Sequence, residues 1–369
     1  MKPLLTFCAA LAICLMRTQF CRSQSSTQPA SSLASNASFE KGLFETDSIL
    51  DITLSGEIRG LLHDRTSKAP TYFPLALEYK SGDGGTISIP IEAKTRGHFR
   101  RLPENCQYPP ILLHFLNSDA LKSSIFNDCV KLKLVMPCRG DQYTIHEWLA
   151  YKIYNLITPY SFRARLVRVT LQNAGAKKPA APFIGLLLEE EQHLAKRNGF
   201  IEVTRKLRPE QTDVHSFQTM AVFEYMIGNT DWSIQYMQNI KLLAADSVGV
   251  PIAVPYDFDM SGLVNTPYAK PAEELELNSV RTRRYRGYCL KDLSRFDSTI
   301  VLFNGLKKDI YAIVRSCVLL DEKYIISTIK FLDEFYATIN NPVAMKKEFS
   351  YPCDKNGTGN VVIKGLRDD

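Results

Sequence analysis

Residues 228–259, "GNTDWSIQYMQNIKLLAADSVGVPIAVPYDFD", contain the features on which the fold assignment depends. Gly228 and Asn229 follow an apolar helical pattern, and both residue types readily adopt the left-handed conformation that ends a helix. Asp231 would then lie on the loop that follows this helix. Two short apolar runs joined by "DSVG" come next and predict a β-hairpin. The plain alternative is a helix cap followed by an ordinary polar turn.

The predicted hairpin would bring together polar residues that are distant in sequence. Antiparallel neighbours lie about 5 Å apart, so Asp231 and Asn239, which precede the hairpin, should face Asp257 and Asp259, which follow it. Carboxylate and amide oxygens suit Mg²⁺, which usually also binds phosphate oxygens. Each aspartate on its own is equally consistent with a turn residue. Taken together and in this order, they favour a metal site at Asn239, Asp257 and Asp259.

The order of these parts is that of phosphoryl-transfer kinases. In such kinases a loop aspartate orients the nucleophile, and an asparagine and a later aspartate hold the metal. Here "NTD" (229–231) and "DFD" (257–259) occupy the corresponding places. The spacing from Asp231 to Asn239 is longer than usual, so Gln235 is an alternative source of the amide.

The distribution of elements predicts an α+β fold. Strand patterns dominate the first half, with one prominent helix at 141–158, and helical patterns dominate the second half. This arrangement predicts a two-lobed, atypical protein-kinase-like fold. We expect a β-rich N-lobe over 43–192 and a helical C-lobe over 193–369 that carries the acidic site.

A kinase-like N-lobe needs a strand lysine for the phosphates and a helix acid that pairs with it. Lys133 and Glu147 fit that order, and Lys131 and Lys94 are alternative lysines. The ordinary alternative is that these side chains simply face solvent. The run "GLLLEEE" (185–191) predicts a strand that enters an inter-lobe hinge, where backbone groups could bind adenine.

Several motifs in this order resemble those of the spore-coat protein H (CotH) kinase-like family, and also secreted bacterial proteins of similar length. The resemblance spans about 50–340 and rests on these segments: "TRGHFR" (95–100), "RARLVRVTL" (163–171), "FIGLLLEEE" (183–191), "GNTDW" (228–232) and "VPYDFDMSG" (254–262). It implies a kinase-like fold and transfer of phosphate from ATP to a protein serine or threonine, with Mg²⁺ or Mn²⁺.

The same resemblance implies roles for individual residues. Asp231 would be the catalytic aspartate, and Asp257, together with Asp259, would be the metal aspartate. Arg96 and Gly97 match the R-G turn near the nucleotide. No motif identifies the lysine that binds the nucleotide.

The N-terminus predicts export. Residues 1–17, "MKPLLTFCAALAICLMR", combine Lys2 with an apolar run that is too short for a membrane span, so 1–25 is predicted to be a signal peptide. Residues 26–42 are rich in Ser and Ala and predict a disordered leader. No later run is long and apolar enough to span a bilayer. We therefore expect a periplasmic or secreted protein.

The cysteines and the charge limit the remaining possibilities. Six cysteines follow the predicted signal, and an even number in an exported protein suggests disulfides. The pairing stays open, and Cys129 is favoured as a buried free thiol. A net charge of +6 over 369 residues, without a nucleic-acid motif, argues against nucleic acid. We expect a monomer whose partners are a nucleotide and an unknown protein substrate.

Two other functions fit the same residues. The first is a catalytically inactive binding protein that keeps a kinase-like fold. The second, a metal-dependent hydrolase, is weaker because no histidine accompanies the acids. The arginine-rich segment 278–289 predicts either a site for acidic or phosphorylated substrates or a solvated loop.

Overall fold

Seven strands in the N-terminal half close into a barrel. The computed structural model describes residues 42–271, 275–288, 290 and 292–350. Apolar and polar residues alternate along strands such as β1 and β4, so that Leu54 and Leu113 are fully buried. The strands are β1 (Leu50–Gly56), β2 (Phe73–Lys80), β3 (Thr86–Thr95), β4 (Ile111–Phe115), β5 (Lys131–Val135), β6 (Ala164–Asn173) and β7 (Phe183–Leu188).

The barrel closes because β1 has a partner on each side. Its antiparallel partner is β2, and its parallel partner is β6. Around the barrel the order is β1-β2-β3-β4-β5-β7-β6, and every pair except β1–β6 is antiparallel. Closure leaves no free edge along these strands. In β5, Lys133 pairs in register with Leu188 at the end of β7.

A second sheet of three antiparallel strands carries the predicted hairpin. The strands are β8 (Ile201–Val203), β9 (Ile240–Ala244) and β10 (Ile252–Pro255), in the order β10-β9-β8. Ile240 lies opposite Pro255, and the Tyr256 backbone N–H donates to the Asn239 carbonyl at 3.0 Å. The hairpin is therefore confirmed, and its open end places Asn239 beside Tyr256.

Eight helices complete the described part of the chain, and their ends follow the capping rules. The Asp213 side chain caps α5 by accepting from the Ser216 N–H, and Gly228 ends this helix with a left-handed φ of 67°. The helices are α1 (Ile58–His63), α2 (Asp119–Lys122), α3 (Asp141–Ile157), α4 (Glu191–Arg197), α5 (Val214–Ile227), α6 (Asp297–Ser316), α7 (Glu322–Ile339) and α8 (Pro342–Phe349).

The apolar core has two parts. One fills the barrel, and the other packs α3 and α5 against the second sheet and the C-terminal helices. Helix α5 is buried from Phe217 to Ile227, so this helix and the loop that follows it are surrounded by protein. The position of Asp231 is therefore set by the core rather than by a mobile surface loop.

The structure confirms the α+β class and changes its expected architecture. The N-terminal sheet is a closed barrel, because β6 returns parallel to β1, and it is not a clear kinase-like N-lobe. The described residues also belong to one compact unit. All seven barrel strands lie within 43–192, but the division at residue 192 stays a prediction.

The cysteines and the N-terminus are only partly described. Cys106 and Cys138 form a disulfide, whereas Cys129 and Cys317 are free thiols. Cys129 is a free thiol, as expected, but it is half-buried rather than buried, and this partial burial raises the pKa of the thiol to about 12. The predicted signal peptide and nearly all of the leader lie outside the described residues, as do Cys289 and Cys353. In the described part of the chain, no helix is both long and apolar enough to cross a membrane.

Candidate functional site

Asp231 lies on a loop that folds back on itself after α5. Its backbone N–H donates to the Asn229 side-chain oxygen at 3.0 Å. Asn239 Nδ2 donates to the Asp231 carbonyl at 2.7 Å and to its carboxylate at 3.0 Å, and Gln238 Nε2 donates to the other carboxylate oxygen. Two amide groups therefore hold the carboxylate of Asp231. The predicted proximity of Asp231 and Asn239 is confirmed.

Asp257 lies where β10 ends, and its backbone is unusual. Its φ is 64°, and that of Asn239 on the facing strand is 51°, a left-handed conformation that is uncommon for residues other than glycine. The Asp257 N–H donates to the hydroxyl of Tyr151 on α3 at 2.9 Å. Within the described residues, its carboxylate has no hydrogen-bond or ion-pair partner. The site thus contains one half-buried, uncommitted carboxylate.

The negative charges of Asp231 and Asp257 repel each other. Burial raises the pKa of Asp231, and the negative charge of Asp257 raises it further, whereas Arg286 lowers it. This interaction shows that the two acids are close in space, as the hairpin predicted. Arg286 already acts on Asp231, and a further cation between the Asp231 and Asp257 carboxylates would relieve the repulsion between them.

Asp259 belongs to a buried group that we call the acidic network, consisting of Arg100, Glu147 and Asp259. Arg100 Nη1 lies 3.4 Å from Asp259 Oδ2 and 3.6 Å from Glu147 Oε2. The Tyr268 hydroxyl also donates to Asp259 at 2.8 Å. Asp259 is therefore already bound by protein groups, unlike Asp257.

Burial dominates the protonation of this network. It raises the pKa of Glu147 well above its ordinary value, against the opposing effect of Arg100. It also raises the pKa of Asp259 to about 7, with a further contribution from Asp257. Burial lowers the pKa of Arg100, but the surrounding acidic groups Tyr268, Asp259 and Glu147 raise it overall. The network holds more acid than base.

Tyr256, the residue before Asp257, contacts what we call the basic network, consisting of Lys133, Glu191 and Lys241. Glu191 Oε1 lies 2.5 Å from Lys133 Nζ and 3.5 Å from Lys241 Nζ. Lys133 Nζ also lies 4.5 Å from the centre of the Tyr256 ring. Lys241 forms a second ion pair, at 2.8 Å, with Glu202 on β8.

Arg96 lies close enough to the basic network for its charge to act on Lys133. Burial lowers the pKa of Lys133, and the positive charge of Arg96 lowers it further, whereas Glu191 opposes the shift. Burial would raise the pKa of Glu191, but Lys133 and Lys241 lower it to about 2. Gly97 has a left-handed φ of 78°, and a Cβ at this position would meet no atom within 4 Å. The glycine therefore serves the turn that follows Arg96 rather than a crowded contact.

The structure contradicts the predicted pair of Lys133 with Glu147. Lys133 pairs with Glu191, and Glu147 faces Arg100. The cause is the barrel register, because Lys133 lies opposite Leu188 and the chain reaches Glu191 three residues after β7 ends. Sequence reasoning did not assign roles to Arg100, Glu191 or Lys241, although the first two lie within motifs quoted for the family resemblance.

The alternative residues lie elsewhere. Lys131 is exposed, and Lys94 Nζ lies 4.5 Å from the centre of the Tyr72 ring. Gln235 was the alternative amide in the sequence, but the glutamine that donates to the Asp231 carboxylate is Gln238. Its position next to Asn239 could have indicated this role.

A metal ion would fit here only if a bound phosphate group supplied some of the coordinating oxygens. Among the described residues, no three His, Cys, Asp or Glu side chains are grouped so that they could hold a metal. Asn239 uses its amide nitrogen on Asp231, which leaves its Oδ1 as a possible donor. The uncommitted carboxylate of Asp257 suits Mg²⁺, which commonly binds one or two carboxylates together with phosphate oxygens. Asp257 is therefore a better candidate ligand than Asp259.

The arginine-rich segment packs inward instead of forming a free basic surface. The guanidinium carbons of Arg281 and Arg283 lie 4.1 and 3.6 Å from the centre of the Phe331 ring. Arg286 donates to the backbone of the Asp231 loop, and Arg284 is exposed. The expected site for acidic substrates is therefore not supported for three of these arginines.

Comparisons with known proteins add little to this geometry. No protein-family model matches the chain, and no curated protein matches it either. Among solved structures, the chain is similar to one described as the Helicobacter pylori proinflammatory kinase CtkA, at 12% sequence identity and a TM-score of 0.36. The similarity covers 66% of this chain and 93% of that one. So low a score carries no argument about activity, and membership of the CotH family stays a prediction.

Proposed function

We propose that the protein is an exported, kinase-like phosphotransferase related to the CotH family. It transfers the terminal phosphate of ATP to a protein hydroxyl group with Mg²⁺ or Mn²⁺. The observation that carries this proposal is the uncommitted carboxylate of Asp257, whose charge raises the pKa of Asp231 and which directly follows Tyr256, the residue whose ring lies 4.5 Å from Lys133 Nζ. An uncommitted acid beside a group of cations matches the needs of a metal–nucleotide complex.

In this proposal each group has one task. Asp231 orients the substrate hydroxyl and takes its proton while the new oxygen–phosphorus bond forms. The bond from the terminal phosphorus to the bridging oxygen breaks, and its electron pair leaves with ADP. Lys133, Lys241 and Arg96 neutralise phosphate charge. A metal ion held by Asp257 and the Asn239 side-chain oxygen would supply further positive charge to the phosphates.

A second candidate function is a nucleotide-free binding protein. This function is favoured by the hydrogen bonds from two side-chain amides to the Asp231 carboxylate. It is also favoured because, within the described residues, no three His, Cys, Asp or Glu side chains are grouped to hold a metal ion. In that case the ion networks only stabilise the fold. The two functions differ in whether ATP and metal bind together.

A thermal-shift titration of the protein without its predicted signal peptide separates the two functions. We expect ATP with Mn²⁺ to raise the melting temperature more than either alone, because a ligand at 100 times its Kd stabilises by about 2.7 kcal/mol. Asp257→Asn should abolish the joint effect. Asp246→Asn is the matched control, because an asparagine can still accept from the Val248 and Gly249 N–H groups of the hairpin turn.

The outcomes are distinct. Absence of a shift in folded wild-type protein would favour the binding protein. A shift that survives Asp257→Asn would put the nucleotide elsewhere. If the shift is found, transfer of labelled phosphate from ATP to the protein itself and to casein tests catalysis. Asp231→Asn should then keep the shift and lose the transfer.

A further inference from the structure

One short segment contacts both acidic loops. We call residues 281–286 the clamp segment. Arg281 Nη1 donates to the Gly262 carbonyl at 3.2 Å, just after the "DFD" motif, and Arg283 Nε donates to the Met226 carbonyl at 3.1 Å, near the end of α5. Arg286 contacts the Asp231 loop itself. Arg281 and Arg283 also donate to carbonyls of α7, so they tie the end of α5 and the segment after the "DFD" motif to that helix.

Arg286 makes the contact that is most specific to Asp231. Its Nη1 donates to the carbonyls of Thr230 and Trp232, the residues on either side of Asp231. Its guanidinium carbon lies 5.4 Å from the centre of the Trp232 ring. Because one guanidinium holds the carbonyls of the residues before and after Asp231, the direction in which the Asp231 side chain leaves the backbone is constrained.

The protein beneath this loop is rigid and buried. Glu224 and Asn229 are each only 1% exposed, and the Asn229 N–H donates to the Glu224 carbonyl at 2.8 Å. Asn229 in turn accepts from the Asp231 N–H. Burial raises the pKa of the Glu224 side chain well above its ordinary value. The loop is thus supported by Asn229 from inside and by Arg286 from the clamp segment.

We propose that Arg286 is a positioning residue, which aims the Asp231 carboxylate by holding the carbonyls of the residues before and after it. The inference rests on the proposed function, because it concerns the orientation of the catalytic aspartate. In this proposal Arg286 acts on Asp231 through these two carbonyls and through its positive charge, which lowers the pKa of Asp231, and it does not bind the nucleotide or the metal. Its loss should therefore impair turnover without impairing nucleotide binding.

Kinetic constants of Arg286→Met and Arg286→Lys test this role. Arg286→Met keeps much of the side-chain length and removes both hydrogen bonds. We expect kcat to fall between about 10- and 100-fold, as for a misplaced catalytic group, while the KM for ATP stays within about twofold. Arg286→Lys retains a charged donor and should give an intermediate kcat. It also keeps the test available if Arg286→Met does not fold.

Arg283→Met is the matched control. Arg283 belongs to the same segment and also donates to backbone carbonyls, those of Met226 and Phe331, but it does not flank Asp231. We expect this variant to melt at a lower temperature and to keep kcat when assayed below that temperature. If Arg283→Met lowers kcat as much as Arg286→Met does, the role of Arg286 is structural and the proposal is wrong.

Fluorescence gives a readout that does not depend on catalysis. The chain has two tryptophans, Trp148 and Trp232, so in a Trp148→Phe background the emission reports the Asp231 loop. Arg286→Met should shift this emission to longer wavelength and increase acrylamide quenching by about twofold or more, whereas Arg283→Met should not. Unchanged Trp232 emission in Arg286→Met would overturn the proposal. If the emission changes but wild-type protein transfers no phosphate, the loop support holds and the proposed function fails.

Discussion

The acidic and basic networks have opposite compositions. The acidic network places one cation, Arg100, against two acids. The basic network places two cations, Lys133 and Lys241, around one acid, Glu191. Lys241 also pairs with Glu202, so the lysines of the basic network are matched by acids, whereas the acidic network has one acid more than it has cations. The difference shows that one fold can hold both a charge-matched and an acid-rich cluster.

The two networks also differ in how the chain builds them. The acidic network joins the turn after β3 to helix α3 and to the loop after β10. The basic network joins barrel strand β5 to helix α4 and to strand β9. Each therefore connects the barrel to the second half of the chain. Because buried charges are costly unless paired, substitutions in the two networks should have unequal effects.

The largest expected effect is the removal of Arg100. Arg100→Met leaves Glu147 and Asp259 buried without their cation, so we expect a loss of about 3–5 kcal/mol in the free energy of unfolding. Urea denaturation measures this loss. The control is Arg168→Met, which breaks an exposed pair with Asp51 and should cost less than about 1 kcal/mol. Equal losses would mean that the acidic network is not a buried charge network.

Next is the disulfide that holds the Arg100 segment. Cys106 and Cys138 are 32 residues apart and link the segment after Arg100 to the turn before α3. Replacing both by serine should cost about 3 kcal/mol, chiefly by freeing the unfolded chain. Cys129→Ser, at a free thiol, serves as the control. A double-serine variant as stable as wild type would show that the acidic network needs no covalent support.

The third effect depends on pH. Burial raises the pKa of Glu147 in the folded state above the ordinary value of 4.5. At pH values between the pKa of Glu147 in the unfolded chain and its higher pKa in the folded protein, the folded protein binds more protons than the unfolded one. Glu147 therefore lowers the stability as the pH rises above about 4.5. Glu147→Gln should remove this loss, by roughly 1–2 kcal/mol at pH 7.

Denaturation of wild type and Glu147→Gln from pH 4 to pH 8 measures the difference. It should grow in favour of the variant as pH rises. Exposed Glu104→Gln is the control and should show no such trend. A difference that grows as pH falls would mean that Arg100 keeps Glu147 ionised.

The smallest effect is expected in the basic network. Lys133→Met removes one partner of Glu191, but Lys241 remains 3.5 Å from that carboxylate. Removal of the buried lysine also removes its desolvation cost. We expect a loss of about 1 kcal/mol and, in a double-mutant cycle with Glu191→Gln, a coupling of similar size. A loss as large as that of Arg100→Met would show that the two networks are equivalent.

Local patterns in the sequence predicted the parts of the site that depend on neighbouring residues. The hairpin and the glycine that ends α5 follow from turn and capping preferences, and the structure contains both. Asp231 and Asn239 come together for the same reason. These features arise from contacts within about 30 residues, where backbone preferences are strongest.

The pairing of charges needed the tertiary structure. Lys133 meets Glu191 because the barrel register places β5 beside β7, and Arg100 meets Glu147 across a turn tied by the disulfide. Arg286 reaches Asp231 from 55 residues away. The sequence by itself determined the α+β class, the main elements and the acidic loop. Only the tertiary structure decided barrel closure and which cation faces which acid. The spacing of apolar residues, every two in a strand or every 3.6 in a helix, shows which face of an element is buried, but it does not show which other element packs against that face.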